Sequence, residues 1–147
     1  MEQYNNYEIN PLVCAIGKQP SQFTKDDIID FVIGNGVRIV NFRYPAADGR
    51  LKTLNFPVTN RAYLESILTY GERVDGSSLF PYIAADSSDL YVIPRFATAY
   101  LDPFAENPTL GMLCTYFTKD GQPLEIAPVF ISKISVFFAS SLKASIA

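Results

Sequence analysis

Val74-Asp75-Gly76-Ser77-Ser78, with its continuation to Ser87-Ser88-Asp89-Leu90, is the stretch from which the rest of the chain can be ordered. Five residues hold one acid, one glycine and two hydroxyls, directly after a helix-like segment that ends at Gly71. Glycine frees the backbone, and Asp and Ser side chains bond back to nearby amides, so neither a strand nor a helix interior is favoured. The expectation is a shaped loop that carries the Asp75 carboxylate outward. Alone, this composition equally describes an ordinary turn aspartate tied to its own backbone, so the flanking sequence decides.

Upstream of the loop, Thr59 or Asn60 can cap a helix in which Tyr63, Leu64, Ile67 and Leu68 recur at helical spacing and Gly71 supplies the stop. Before it, residues 37–44 are rich in β-branched and aromatic side chains, with Val37, Ile39 and Phe42 read as apolar positions on different faces. Pro45 and Asp48-Gly49 then make a turn, and residues 51–56 alternate as the returning strand, so residues 37–56 read as a hairpin. Thr24 and Asp27 resemble a capping box that opens a first helix through Ile28, Ile29, Phe31 and Val32, closed by Gly34 or Gly36. Residues 1–22 read as an extension in which Leu12-Val13-Cys14-Ala15-Ile16 docks as one turn or a short strand.

Downstream, residues 90–93 form a short strand that Pro94 closes, residues 97–101 an extended piece, and residues 110–117 a longer strand. A Lys119-Asp120-Gly121 turn leads to a short return at residues 123–126. A hairpin, helices and further strands make an α+β domain, a mixed sheet with helices gathered on one side. After Glu125 no acid occurs, and Phe130, Ile131, Ile134, Val136, Phe137, Phe138, Leu142 and Ile146 form an apolar tail. It reads as a helix with one apolar face or as a segment that packs against something else; Lys133 and several serines argue against a membrane span.

Composition narrows the function classes. With 147 residues, nearly half of them apolar and twenty of them Tyr or Phe, the chain is one globular domain. A net charge of −3 with no basic stripe makes nucleic acid a poor partner. The absence of histidine removes imidazole metal ligands and the Ser-His and Cys-His nucleophile pairs. Cys14 and Cys114 form no CxxC pair and read as buried free thiols in a reducing compartment. No signal peptide is visible at Met1-Glu2-Gln3-Tyr4, so a cytoplasmic location is expected.

Candidate chemistry is sparse. Asp75 can act as a charged acceptor or hold a cation with nearby serine oxygens. Asp86 and Asp89 around Ser87-Ser88 fall short of the oxygen count calcium prefers, so a solvated loop is expected there. Arg38, Arg43 and Arg95 can bind anions but read as solvent-facing strand residues. Gly-rich phosphate cradles are missing, and residue chemistry alone does not make this chain an enzyme.

The order of motifs is more specific. Asp75-Gly76-Ser77-Ser78 followed after eight residues by Ser87-Ser88-Asp89 resembles the N-terminal signature of glutamine synthetases. Gly49-Arg50-Leu51-Lys52 resembles that family's Gly-x-x-Lys hairpin, Pro103-Phe104 stands where Pro-Trp is usual, and Leu113-Cys114-Thr115-Tyr116 with Asp120-Gly121-Gln122-Pro123 resembles its next strand and turn. The resemblance spans residues 23–128, between the extension at 1–22 and the tail at 129–147. Departures mark a divergent branch: Val74 before the Asp-Gly-Ser-Ser, a longer turn before Gly49, Tyr44 near the usual Asp, Arg95 after Pro94, and Ala127-Pro128-Val129 where Asp-Pro-Arg is expected.

The resemblance implies a β-grasp fold that sits against the catalytic domain of a neighbouring subunit in an oligomeric ring. It implies that Asp75 helps bind ammonium and takes its proton, and that Ser78 belongs to the same loop and shapes the site. The family's ATP, its Mg or Mn ions and its glutamate belong to a large catalytic domain that residues 1–147 do not include, so no cofactor is expected on this chain. The first expectation is therefore a ligase part for glutamine biosynthesis, inactive alone, with a tail that is an aberrant ending from a frameshift or truncation. The alternatives are a stand-alone interaction module that docks on full-length synthetase through its tail, and a non-functional remnant.

Overall fold

The computed structural model describes residues 8–85 and 88–124. Expectations for the apolar tail, for Ala127-Pro128-Val129 and for Asp86 and Ser87 lie outside those residues. Six strands form one mixed sheet: β1 (Ile39–Pro45), β2 (Leu51–Pro57), β3 (Glu72–Asp75), β4 (Asp89–Pro94), β5 (Tyr100–Leu101) and β6 (Thr109–Thr118). Their order is β2-β1-β6-β4-β3, with β5 paired to β6. Only the β1–β6 contact is parallel; the β1–β2, β3–β4, β4–β6 and β5–β6 pairs are antiparallel. Among the described residues four α-helices accompany the sheet: α1 (Pro11–Ile16), α2 (Lys25–Gly34), α3 (Arg61–Tyr70) and α4 (Gly76–Leu79).

Local chemistry explains the two long helices. Thr24 accepts from the Asp27 amide at 3.2 Å while Asp27 Oδ2 accepts from the Thr24 amide at 2.9 Å, the reciprocal capping box. Asn60 Oδ1 caps α3 through the Tyr63 amide at 2.8 Å, and Gly71, at φ 67°, ends it. Ile28, Ile29, Phe31 and Val32 of α2 and Leu64, Ile67 and Leu68 of α3 are buried. The Leu12 island forms α1, capped by Asn10 and stopped by Gly17 in the left-handed region, and Leu12 joins the same core.

The hairpin forms as its sequence implies, with Gly49 at φ 81° in the turn and the Ala46 amide donating to Arg50 O at 2.8 Å. Ile39 and Phe42 fall on different faces of β1, as expected. Val40, Phe42 and Tyr44 point into the core, whereas Ile39, Asn41 and Arg43 face the other way. The period-two run from Val40 to Tyr44 outweighs Val37, which is buried but precedes the strand. Leu110, Met112, Cys114 and Tyr116 of β6 and Leu90 and Val92 of β4 complete the inner face, against which the helices pack.

Residues 97–101 are not one extended piece. Phe96–Thr98 is a single 3-10 turn, after which only Tyr100–Leu101 pairs with β6. Thr98 makes this kink tolerable: its hydroxyl donates to Arg95 O at 2.6 Å and accepts from the Leu113 amide at 2.9 Å. A side chain thus supplies the ladder bond that the turned backbone cannot. Beyond the 119–121 turn, the return pairs Phe117 with Pro123, and the Leu124 amide donates to Tyr116 O at 3.0 Å.

Candidate functional site

The Asp75 stretch is not a free loop. Glu72–Asp75 is strand β3, antiparallel to β4 with Asp75 opposite Asp89, and Gly76–Leu79 is one helical turn that Asp75 caps. The strand assignment comes from pairing rather than from the sequence, since β4 offers a partner ladder to a run in which only Val74 favours a strand. Gly76 is required for a reason other than a free backbone. Its φ is not positive, but a Cβ there would lie 2.7 Å from Leu90 Cδ1 and 2.9 Å from the Ser88 carbonyl oxygen. Closeness of the two backbones, sealed by the Gly76 amide donating to Ser88 O at 2.6 Å, leaves no space for a side chain.

Within the turn, Asp75 Oδ1 accepts two bonds, from the Ser77 hydroxyl at 2.7 Å and from the Ser77 amide at 3.0 Å. Ser78 does something different: its hydroxyl donates to the main-chain carbonyl of Asp75 at 2.8 Å. The Ser77 hydroxyl first, and its amide second, stabilise the ionised carboxylate and hold Asp75 below its ordinary acidity range. The carboxylate is solvent-exposed and charged at neutral pH.

Two anchors fix the turn to the core. Phe80, directly after α4, is fully buried and meets the Tyr116 ring edge-on at 5.1 Å between centroids. Tyr116 in turn meets Tyr44 edge-on at 6.0 Å and donates its hydroxyl to Pro45 O. The second anchor is the hairpin turn, where the Ala47 amide donates to Leu79 O at 3.1 Å. Asp48 and Lys52 of the hairpin and Ser77 and Ser78 of the turn line a cleft of about 220 Å³. The Gly49-Arg50-Leu51-Lys52 motif and the Asp75 motif, separated by some twenty residues of sequence, are therefore neighbours.

Strand registers place Asp75 on a defined face. Paired residues share a face and alternate residues repeat it. Following the pairs Asp75–Asp89, Tyr91–Phe117, Ile93–Thr115 and Leu113–Arg43, the carboxylate lies on the side of the sheet away from the helices. That side carries Arg43, ion-paired to Asp102 at 3.4 Å and set over the Tyr100 ring at 5.7 Å, and Leu113, which is 37% exposed. Asn41 Oδ1 and Arg43 Nε on the same side are buried and have no hydrogen-bond partner among the described residues.

Other candidates are dispersed. Arg38 precedes β1, and Arg95 lies in the turn after β4 rather than on a strand. Asp89 pairs with Arg73 at 3.5 Å. Cys114 is buried as expected, but Cys14 is exposed, because Leu12 takes the inward position of the short α1 helix. Among the described residues no group of three or more His, Cys, Asp or Glu could hold a metal ion, and no helix is long and apolar enough to cross a membrane. Sequence reasoning singled out Asp75 and Ser78; it missed Ser77, whose signal lay in the Asp-x-Ser spacing that lets a hydroxyl and an amide reach one carboxylate oxygen.

A sequence profile described as glutamine synthetase, beta-Grasp domain, matches residues 36–119. Over 119 residues the chain is 29% identical to a glutamine synthetase of Azorhizobium caulinodans, a match covering 80% of this chain and 25% of that protein. It is 32% identical over 99 residues to a glutamine synthetase of Frankia alni, covering 67% of this chain and 20% of that protein. Among solved structures, a Plasmodium falciparum glutamine synthetase shares the fold with a TM-score of 0.68 at 20% identity, over 81% of this chain and 23% of the other. The chain thus spans a quarter or less of the length of these curated relatives.

Proposed function

The chain belongs to the glutamine synthetase family, as its β-grasp domain, and from that premise we propose that it supplies the Asp75 turn to an active site completed by a catalytic domain on a neighbouring subunit. The observation that carries this reading is the placement of Asp75: an exposed carboxylate, fixed by Ser77, on the side of the sheet that the helices leave uncovered. The partly exposed Leu113 on that side favours a docked partner there.

The chemistry follows from a fixed anionic acceptor. An ionised carboxylate stabilises NH4+ by charge-assisted hydrogen bonds and orients it. The ammonium gives one proton to the Asp75 carboxylate, and the freed nitrogen lone pair attacks the γ-carbonyl carbon of γ-glutamyl phosphate; the carbon–oxygen bond to phosphate breaks, and phosphate leaves with the second proton that the nitrogen sheds in forming the amide. Ser78 shapes the turn by holding the Asp75 carbonyl. Among the described residues no cluster of three or more His, Cys, Asp or Glu could hold a metal ion, and on this reading ATP and Mg²⁺ or Mn²⁺ are assigned to the partner domain.

Docking is tested by co-sedimentation of the chain with a separately produced glutamine synthetase catalytic domain. Binding that is lost in Leu113→Asp and kept in Tyr70→Ser, a change on the exposed surface of α3, is expected. The reverse pattern sinks the proposed face.

A further inference from the structure

Two serines follow Asp75, and their hydroxyls act on different atoms. Ser78 bonds the main-chain carbonyl of Asp75, whereas Ser77 brings both its hydroxyl, at 2.7 Å, and its amide, at 3.0 Å, to the side-chain oxygen Oδ1. A carboxylate with one oxygen held by two donors loses its rotamer freedom, because turning about the side-chain bonds breaks both contacts. The Ser77 backbone is itself fixed on either side. Gly76 is clamped to Ser88, and Leu79 and Phe80 are buried, so the donors do not drift with the turn.

We propose that Ser77 is the positioning residue of the Asp75 carboxylate, setting the orientation in which it meets ammonium. This rests on the reading of Asp75 as the ammonium-binding group. The lowered acidity range of Asp75 agrees, since the Ser77 hydroxyl bond is its largest cause. A carboxylate so held is a weaker base and a better-ordered cation acceptor, so Ser77 favours capture over proton acceptance. Among the described residues the charged groups near it are Asp89, opposite on β4, and Arg73, two residues back on β3, which pair with each other. Asp48 and Lys52 line the cleft beside Ser77 and Ser78.

The test combines two measurements on the full chain. Carboxyl NMR titration of Asp75 is followed in the wild type, Ser77→Ala, Ser77→Thr and Ser78→Ala. In parallel, ammonium dependence is measured after mixing each with a synthetase whose own ammonium-site aspartate is disabled. Ser77→Ala is expected to raise the Asp75 midpoint toward 3.8 and to raise KM for ammonium roughly tenfold, with a smaller effect on kcat. Ser77→Thr should restore both, and Ser78→Ala should leave the titration in place. An unmoved midpoint in Ser77→Ala, or an equal shift in Ser78→Ala, overturns the proposal even where Asp75 is required. An Asp75→Asn chain that supports synthesis as well as the wild type overturns the functional reading and this proposal together.

Discussion

The Gly76 amide donates to the Ser88 carbonyl across 2.6 Å, so the end of β3 and the start of β4 touch backbone to backbone. A side chain at residue 76 would meet that carbonyl and the Leu90 side chain at 2.9 Å and 2.7 Å. Leu90 can yield, but the Ser88 carbonyl accepts the Gly76 amide and cannot retreat without breaking the contact that closes the Asp75 turn.

Gly76→Ala should therefore destabilise the domain by about 1–3 kcal/mol, read from the urea midpoint at constant slope. Gly34→Ala is the matched control. Gly34 sits at the end of α2 with nothing within 4 Å of an added Cβ. That change should be neutral or stabilising by up to about 1 kcal/mol. Equal losses at both positions would show that the crowding at Gly76 is not what matters.

Asp27 predicts a pH dependence. The Thr24 amide first, then Lys18, whose Nζ lies 2.9 Å from Oδ2, hold the Asp27 carboxyl below its ordinary 3.8. A depressed folded value means its stabilisation is present above 3.8 and is lost as pH falls through the folded value. Asp27→Asn should cost about 1 kcal/mol near neutrality, and the gap to the wild type should close in acid. A gap that persists unchanged well below 3.8 would show that the ionised carboxylate is not its source.

The two cysteines separate kinetically. Cys114 is fully buried and its thiol is pushed up to about 12 by desolvation, whereas Cys14 is exposed. A thiol-reactive chromophore should label one sulfur quickly in the folded protein, mapped to Cys14, and the second only after denaturant is added. Equal rates for both without denaturant would contradict the packing of β6.

These expectations show where the sequence was readable. The Thr24–Asp27 box, the Asn60 cap and the Gly71 stop are local, decided by side chains reaching amides two or three residues away, and they formed as read. Strand β3 was not local. Glu72-Arg73-Val74-Asp75 becomes a strand because β4 pairs with it, so the expected loop is a strand end and one helical turn. Ile39 and Phe42 do lie on different faces of β1, but which face is buried was not legible, because the deciding period-two run begins only at Val40. At the site, the motif pointed to Asp75 and Ser78, and only the geometry separates the serine that grips the carboxylate from the one that grips the backbone.

The central claim is tested most directly by activity rescue. A glutamine synthetase whose own ammonium-site aspartate is replaced is mixed with this chain over a range of ratios, and ATP-dependent glutamine formation is measured. The account predicts recovered synthesis with the wild-type chain and none with Asp75→Asn. No recovery at any ratio, or recovery that survives the loss of the Asp75 carboxylate, would contradict it.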